Sequence, residues 1–371
     1  MSVVLVTGGA GFIGSHLVDA LLEGGERVRV LDNLDELAHP SGRPSHLRAD
    51  AELIVGDLRD RETVERALVG VDRIFHLGGV VGNGESMINA RRAVDNNAGG
   101  TATLLEAALA RRDRIRRMVA ASSMVVYGEG SYRCPAHGIV HPPLRPPERL
   151  RRREWEPRCP DCGAGALPVS TREDAPLRPT SVYGITKRDQ GELVLVLGRA
   201  YGLETVALRY LGVYGPRQAL ANPYTGVAAI FAARVLNGRA PLVFEDGGQI
   251  RDLVHVSDVV RATRAAMEAP PATGRAINVA TGRRVRILEL ARKVARALGS
   301  GLQPNVTGEF RAGDIRHCFA DVSRARELLG FESAVTLDRG LPELAAWVAE
   351  QRVVERGDEA VAELRARGLV A

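Results

Sequence analysis

Short apolar runs rich in β-branched residues alternate with amphipathic stretches along the first third of the chain. The runs at 3–6, 27–31, 52–55, 73–77 and 118–121 have the length and composition of buried strands. The stretches at 13–23, 62–69 and 101–110 have the apolar spacing of helices. This repeated alternation predicts an α/β fold built on a doubly wound parallel sheet that is covered on both faces. Functional sites in such sheets lie beyond the carboxyl ends of the strands.

The alternation is interrupted between residues 131 and 171, where the chain carries eight prolines and three of its four cysteines. Prolines at this density disfavour a helix or a central strand. Because an unstructured loop of this length is uncommon in a compact domain, we expect an insertion held by its own local staple.

The α/β pattern returns after residue 181, with helices predicted at 187–201 and 258–268 and strands at 205–209 and near 252–256. The stretches at 217–237 and 285–330 depart from it and are predicted to form a smaller lobe. We therefore expect a nucleotide-binding domain at 1–212, a C-terminal substrate lobe at 213–345 and a helical tail at 346–371. Near 250–282 the chain should return to the main sheet.

Composition supports a soluble enzyme, with 45% hydrophobic and 26% charged residues. The net charge of +5 is too small and too dispersed to predict nucleic-acid binding, although it suits an anionic ligand. No apolar run approaches the roughly 18 residues of a membrane span, and no secretory signal is visible. With four cysteines and no disulfide framework, we expect a cytoplasmic protein.

A glycine-rich turn joins the first predicted strand to the first predicted helix. Gly8 permits the tight turn, Gly11 allows a pyrophosphate to approach the backbone, and Gly14 lets helix and strand pack closely. Asp32, eighteen residues beyond Gly14, ends the second strand, where a carboxylate binds the ribose of NAD and repels the extra phosphate of NADP. The sequence thus predicts a Rossmann-type NAD site. The other residues predicted to line this NAD site are Phe12, Ile13, Asn33, Asp57, Leu58 and Leu77.

Tyr183 and Lys187 are four residues apart and so share one face of a helix. An ammonium and an oxidised nicotinamide ring should lower the pKa of the phenol, which could then accept a hydroxyl proton. Ser122 and Ser123 follow a buried strand and should reach the same edge of the sheet. Alone, such a tyrosine–lysine pair is common on helix surfaces, but together with the NAD site it predicts a dehydrogenase-type centre.

These motifs resemble the extended short-chain dehydrogenase/reductase family, and within it the nucleotide-sugar epimerases. The runs at 7–14, 31–33, 56–58, 95–101, 123–128, 183–187, 209–217 and 251–256 stand in family order. The resemblance implies that Ser123, Tyr183 and Lys187 are catalytic. It also implies that Asn97, Tyr183 and Lys187 contribute to cofactor binding. A homodimer through the helices at 101–110 and 187–201 is expected on the same ground.

The residues after Ser123 favour epimerisation over the family's other reactions. The resembling 4,6-dehydratases carry an acidic pair there, and the resembling decarboxylases carry a carboxylate before Val-Tyr-Gly. Met124 and Val125 occupy these positions here and cannot transfer protons. We therefore predict oxidation and re-reduction at carbon 4 of a nucleotide sugar.

The substrate side is assigned by the same resemblance. It implies that the segment with Asn222 and Tyr224 contacts the nucleotide diphosphate, that Arg251 and Arg311 bind the diphosphate, and that Asp314 binds the ribose. One residue departs from the pattern. Gly212 stands where many epimerases have an asparagine that binds substrate, which argues against the usual hexose.

The insertion carries two short turns, Cys134-x-x-His137 and Cys159-x-x-Cys162, each followed by glycine. Three thiolates and an imidazole are a tetrahedral set suited to structural zinc, with His141 as an alternative to His137. Such an insertion, together with the run at 216–226, resembles the dTDP-L-rhamnose 4-epimerase subgroup. Alternatives are a UDP-glucose or UDP-glucuronate 4-epimerase, a ketosugar reductase, or an NAD-binding scaffold without chemistry. The basic run at 149–153 is expected to be a solvated charge cluster or, alternatively, a lid, and Cys318 a core residue.

Overall fold

The fold centres on one parallel sheet, seen in a computed structural model that describes residues 2–220, 222, 224–351 and 357–371. Its seven strands, in chain order β1 to β7, lie in the spatial order β3-β2-β1-β4-β5-β6-β7 and pair in parallel throughout. The predicted doubly wound Rossmann-type fold is confirmed. The strands are Val3–Thr7, Val28–Asp32, Glu52–Val55, Val71–His76, Arg117–Ser123, Glu204–Tyr210 and Arg275–Val279.

Helices cover both faces of this sheet, because successive residues of each strand point to opposite sides. Val4 and Val6 of β1 pack with helices on one face, Phe12–Glu23 and Val256–Glu268. Val3 and Leu5 pack with helices on the other face, Arg61–Ala67, Gly100–Leu109 and Val182–Tyr201. Numbered α1 to α13, the helices are Phe12–Glu23, Arg61–Ala67, Asn83–Ile88, Ala90–Ala93, Gly100–Leu109, Pro147–Arg151, Val182–Tyr201, Val227–Leu236, Val256–Glu268, Ile287–Ala297, Ser323–Leu329, Leu337–Ala349 and Gly357–Ala366. A π-helical turn, Val94–Gly99, precedes α5.

A smaller core lies between α8, α10 and α12, where Phe231, Leu290 and Leu344 are buried together. The predicted strand near 252–256 is observed as Leu253–His255, but it pairs with Gly212–Tyr214 outside the main sheet. Within the range 250–282, the segment that pairs in the main sheet is β7. Helix α11, from the stretch expected in the smaller lobe, packs on the main sheet through Ala325, which fills space beside β7.

The insertion folds as a small antiparallel sheet of Ser131–Cys134, Gly138–Val140 and Leu167–Val169. The expectation that its prolines exclude a helix is wrong for α6, because Pro147 occupies the first helical turn, where the missing N–H has no partner to lose. Of the helices in the described parts of the chain, none has the length and apolar character needed to cross a lipid bilayer.

Candidate active site

A cavity of about 630 Å³ opens at the carboxyl ends of the main-sheet strands, between that sheet and the smaller core. Residues from both sides line it, among them Gly11, Ser123 and Tyr183 from the first and Arg251 and Arg311 from the second. The predicted cofactor, catalytic and substrate residues line this one cavity, except for Asn97 and Lys187, which are buried behind its wall.

The glycine turn has the geometry of a phosphate-binding loop. Gly8 has φ +67°, a left-handed conformation that other residues adopt only under strain. A Cβ on Gly14 would lie 2.7 Å from the Gly9 Cα, so only glycine allows this close packing of helix on loop. Gly11 caps α1 and no described side chain bonds there, which leaves the N–H groups of the first turn free for an anion.

Asp32 is fixed beside this loop at the end of β2. One carboxylate oxygen accepts the Ala10 N–H at 3.0 Å and the other accepts the Leu34 N–H at 2.9 Å. These bonds hold the carboxylate at the cavity wall with lone pairs to spare, as binding of a ribose diol requires.

The remaining predicted cofactor residues fall into two groups. Those that line the cavity are Phe12, Ile13, Asn33, Asp57, Leu58 and Leu77. Asp57 forms a two-oxygen ion pair with Arg59, at 2.9 and 2.7 Å, which lowers the pKa of that carboxyl. Asn97 is fully buried instead, and its amide bonds Val80 on both backbone atoms and the Thr186 hydroxyl at 2.9 Å. Asn97 thus holds the loop after β4 against α7.

The three predicted catalytic residues lie where β5 ends and α7 begins. Ser181 caps α7 by accepting the Gly184 N–H at 3.1 Å, and a Cβ on Gly184 would come within 3.0 Å of the Val125 carbonyl. Ser122 donates to the Lys187 carbonyl at 3.0 Å and so fastens helix to strand. Ser123 is then the member of the serine pair that lines the cavity, with its hydroxyl near the Tyr183 phenol.

Burial shifts the pKa values of Tyr183 and Lys187 in opposite directions. It raises the pKa of Tyr183 to about 12, with the Ser123 hydrogen bond opposing the shift, and it lowers the pKa of Lys187 to about 7. The prediction of a lowered phenol pKa refers to the protein with oxidised NAD bound, and it stays a prediction. The Lys187 ammonium is directed to the Ala121 carbonyl at 2.6 Å and to Gln190 Oε1 at 2.5 Å.

Sequence reasoning missed the two side chains behind Lys187. With its oxygen committed to the ammonium, Gln190 donates its amide N–H to His76 Nε2 at 2.8 Å. The two ring nitrogens of His76 also lie beside hydroxyls, Nδ1 at 2.8 Å from Thr7 and Nε2 at 2.9 Å from Thr101. Burial lowers the pKa of His76 to about 3, so the ring is neutral. The one available signal was that Gln190 follows Lys187 by three residues on the same helix face.

The predicted substrate residues all line the cavity: Asn222, Tyr224, Arg251, Arg311 and Asp314. Arg251 donates to the carbonyls of Ile315 at 2.8 Å and Arg316 at 2.9 Å, so its guanidinium is held by backbone. Arg311 is paired with Asp314 at 2.7 Å. Ala221 and Pro223 of the same predicted segment lie outside the described residues.

Gly212 has a packing reason to be glycine. A Cβ there would lie 2.9 Å from the Asp252 carbonyl oxygen, so the backbone of the strand Gly212–Tyr214 runs close to its neighbour. The cavity at this point is lined by backbone, and a substrate-binding amide is absent from position 212.

Comparison with known proteins agrees with this arrangement. The model of the NAD dependent epimerase/dehydratase family matches residues 4–147 and 161–280. This chain belongs to that family. A dTDP-L-rhamnose 4-epimerase of Burkholderia thailandensis is 34% identical over 351 residues, covering 94% of this chain and 95% of that protein.

Two solved structures of UDP-glucose 4-epimerases are also similar. One, from Thermotoga maritima with UDP-glucose, has a TM-score of 0.76 at 31% identity and covers 93% of this chain and 98% of its own. The other, from Thermus thermophilus in complex with NAD, has a TM-score of 0.74 at 29% identity and covers 94% of this chain and 100% of its own.

The C-terminal helix also reaches the cavity of this epimerase/dehydratase family member. Ala360, Val361 and Leu364 of α13 and Leu369 line its wall. The C-terminal residues pair with the backbone just before Arg311, since Phe310 and Ala371 exchange backbone hydrogen bonds of 2.8 and 3.1 Å. Nothing in the sequence pattern indicated this, because a helical tail can pack on any apolar surface.

The family match leaves out residues 148–160, which are part of the insertion. Elsewhere in the insertion, and including one residue of this gap, four side chains of types that bind metal ions lie close together. The Sγ and ring nitrogen atoms of Cys134, His137, Cys159 and Cys162 all lie within 4.8 Å of one another. His141, the alternative ligand, lies elsewhere, with Nδ1 3.3 Å from the Gly130 carbonyl. Cys318 is buried in a separate apolar cluster. The run at 149–153 is largely exposed, with Arg149 and Arg152 paired to Glu154.

Proposed function

We propose that this protein is an NAD-dependent nucleotide-sugar 4-epimerase whose preferred substrate is dTDP-L-rhamnose or a related dTDP-sugar. The observation that carries the proposal is the composition of the cavity beside Tyr183. Ser123 supplies a hydroxyl there, and Met124 and Val125 supply apolar walls. Elimination of water or loss of carboxylate needs an acid or base at these positions, whereas reversible oxidation needs only the phenol.

The chain's own residues account for the proton movements. Tyr183 accepts the proton of the carbon-4 hydroxyl and later returns it, while Ser123 hydrogen-bonds the same oxygen and holds it near the phenol. Bound NAD⁺ supplies the hydride acceptor and donor and adds a positive charge that favours phenolate. Burial of Lys187 keeps its charge from being screened by water.

Inversion requires the sugar to present its other face to the cofactor. Arg251 and Arg311 would hold the diphosphate, since a planar guanidinium suits phosphate oxygens, and Asp314 would bind the nucleotide ribose. The sugar could then rotate about the diphosphate linkage within the cavity of about 630 Å³. Asn222 and Tyr224 lie on the wall beside it.

The proposed sugar and nucleotide base rest on the similar proteins and on the glycine at position 212. The similar Burkholderia protein is named for dTDP-L-rhamnose, and the missing amide at 212 disfavours the usual hexose. A UDP-glucose or UDP-glucuronate 4-epimerase is the second candidate, favoured by the similar UDP-sugar structures. A ketosugar reductase is less well supported, because it exchanges cofactor at each turnover. A scaffold without chemistry has no use for the intact trio.

The proposal is tested by incubating the purified protein with dTDP-L-rhamnose without added NADH and following carbon 4 by NMR. We expect the 4-epimer to form. Tyr183→Phe should retain bound NAD and lose turnover; an active variant would remove the assigned base. Turnover of UDP-sugars alone would make the second candidate the function.

The insertion is proposed to hold one structural zinc ion. The Cys134 and Cys162 sulfur atoms are 3.7 Å apart, and His137 Nδ1 lies 3.6 and 3.5 Å from the sulfurs of Cys134 and Cys159. Four ligands about 2.0–2.3 Å from a tetrahedral zinc lie at about these separations. Elemental analysis should give about one zinc per chain for the wild type and for Cys318→Ser, and less for Cys162→Ser. A metal-free, folded wild type would contradict the assignment.

A homodimer is proposed through the predicted helices at 101–110 and 187–201. Val196 and Tyr201 on α7 are more than half exposed, which gives this surface apolar area to bury. Light scattering after size exclusion should give twice the chain mass, and Val196→Asp should reduce it. We propose a cytoplasmic location, in keeping with four free cysteines, and no nucleic-acid or membrane partner.

A further inference from the structure

Four buried charged side chains lie between the insertion and the substrate side of the cavity. Glu129, Arg145, Glu245 and Arg316, here called the buried charge cluster, each have side chains no more than 3% exposed. Charged groups are rarely buried to this degree unless their positions matter, because desolvating them costs more than apolar packing would. None of the four is needed for the chemistry proposed above.

Glu129 connects the cluster to the four-ligand site. The Tyr132 hydroxyl donates to Glu129 Oε2 at 3.1 Å. Tyr132 is fully buried and packs in one small core with Cys134 and Cys159. The same Glu129 oxygen accepts the backbone N–H of Arg316 at 2.8 Å.

Arg145 makes the second connection. Its guanidinium donates to Glu129 at 3.3 Å, to the Trp155 carbonyl at 3.0 Å, and to Glu245 at 2.9 Å. It also donates to the backbone carbonyl of Asp314 at 3.1 Å. Glu129 and Arg145 together therefore fix the backbone at both ends of residues 314–316.

Residues 314–316 are the support of Arg251. The two terminal nitrogens of its guanidinium donate to the carbonyls of Ile315 and Arg316. His317 makes a further connection, since its Nε2 donates to Glu156 of the insertion at 2.9 Å and its Nδ1 accepts the Ile250 N–H at 3.1 Å. Contacts are thus continuous from the four-ligand site to the guanidinium that faces the cavity.

We propose that the metal-bound insertion positions the nucleotide-diphosphate site, with Glu129 and Arg145 as positioning residues that hold Arg251 in place through the backbone of 314–316. The inference rests on the proposed function and on the proposed zinc. It assigns the insertion a role in substrate affinity, separate from NAD binding, since the cluster contacts the substrate side and not the glycine loop.

The experiment is a calorimetric titration of full-length protein with dTDP and, separately, with UDP. Arg145→Met and Cys162→Ser should each weaken nucleotide binding about tenfold or more, because a charged hydrogen-bond partner or the metal is lost. Tyr132→Phe, which removes only one hydroxyl, should weaken it less and keep the fold. Arg152→Met is the matched control, an exposed arginine of the same insertion outside the cluster, and should bind normally.

Two further readouts separate positioning from general stability. The KM for the nucleotide sugar should rise with the dissociation constant while kcat changes little, and bound NAD should stay at the wild-type level. Unchanged nucleotide affinity in Arg145→Met and Cys162→Ser would overturn the inference, and so would a joint loss of NAD, nucleotide binding and thermal stability. Because the titration needs no turnover, an inactive wild type that binds dTDP would refute the proposed function alone.

Discussion

Replacing Gln190 by leucine should shift the pH dependence of turnover towards acid. The wild-type amide oxygen lies 2.5 Å from the Lys187 ammonium and is one of two described acceptors for it, and both side chains are buried. Removing it leaves the Ala121 carbonyl as the described partner and withdraws stabilisation from the charged form of the amine alone.

The size of the shift follows from the energy of that bond. A hydrogen bond to a charged group contributes about 1.5–3 kcal/mol, which corresponds to about one to two units in the pKa of Lys187. Since burial already lowers this pKa to about 7, the charged fraction at neutral pH should fall from about half to a tenth or less. The phenolate loses the same support, so kcat at pH 7 should fall about fivefold or more.

The assay is kcat measured from about pH 5 to pH 9, over which the loss of the Lys187 proton limits activity on the alkaline side. In Gln190→Leu this decline should begin at lower pH. Gln190→Glu is the matched variant with the opposite expected effect. A carboxylate beside the ammonium favours the charged form of Lys187, so the alkaline decline in kcat should move to higher pH. Bound NAD and the melting temperature serve as controls for folding. Profiles that coincide with wild type in both variants would refute this account of Lys187.

Three other outcomes are expected. Gly14→Ala should purify with little bound NAD, because its Cβ would lie 2.7 Å from the Gly9 Cα. Gly301→Ala is the control and should keep its NAD, because its Cβ would meet no atom within 4 Å. Equal NAD contents in the two variants would contradict the assignment of the glycine loop. The folded pKa of Lys187 lies below its unfolded value, so the unfolded chain binds more protons between them and the free energy of unfolding should rise from pH 7 to about pH 10. Denaturant titrations of Lys187→Met should lack that part of the rise, and an identical slope would show that Lys187 is not buried as described. Leu364→Ala, which opens the wall formed by α13, should raise the KM for the nucleotide sugar several-fold with NAD retained, and Leu167→Ala, on an exposed leucine, should not.

Much of the fold and the centre of the site could be predicted from the sequence because they depend on local pattern. The strands of the first half were found within about two residues, since β-branched runs and helical spacing are read over short windows. The glycine turn, Asp32 and the Tyr183–Lys187 spacing are likewise short motifs with a geometric reason at each position. The insertion's cluster of Cys134, His137, Cys159 and Cys162 was predicted for the same reason.

What could not be predicted depends on packing between distant parts of the chain. The His76–Gln190 contact joins residues 114 positions apart, and the Glu129–Arg316 contact joins residues 187 apart. Neither a helix pattern nor a motif identifies such partners. The burial of Tyr183, which raises the pKa of its phenol, was missed for a related reason, since the sequence shows a neighbouring amine but not how far the side chain is covered.

Transfer of a label at carbon 4 tests the central claim most directly. A nucleotide sugar deuterated at carbon 4, preferably dTDP-L-rhamnose, is incubated with the protein in ordinary water without added NADH. If Tyr183 moves the hydroxyl proton while the carbon-bound hydrogen leaves and returns within one closed site, the 4-epimer should retain the deuterium at carbon 4. Loss of the label to solvent, or release of a 4-keto sugar as the product, would contradict the account.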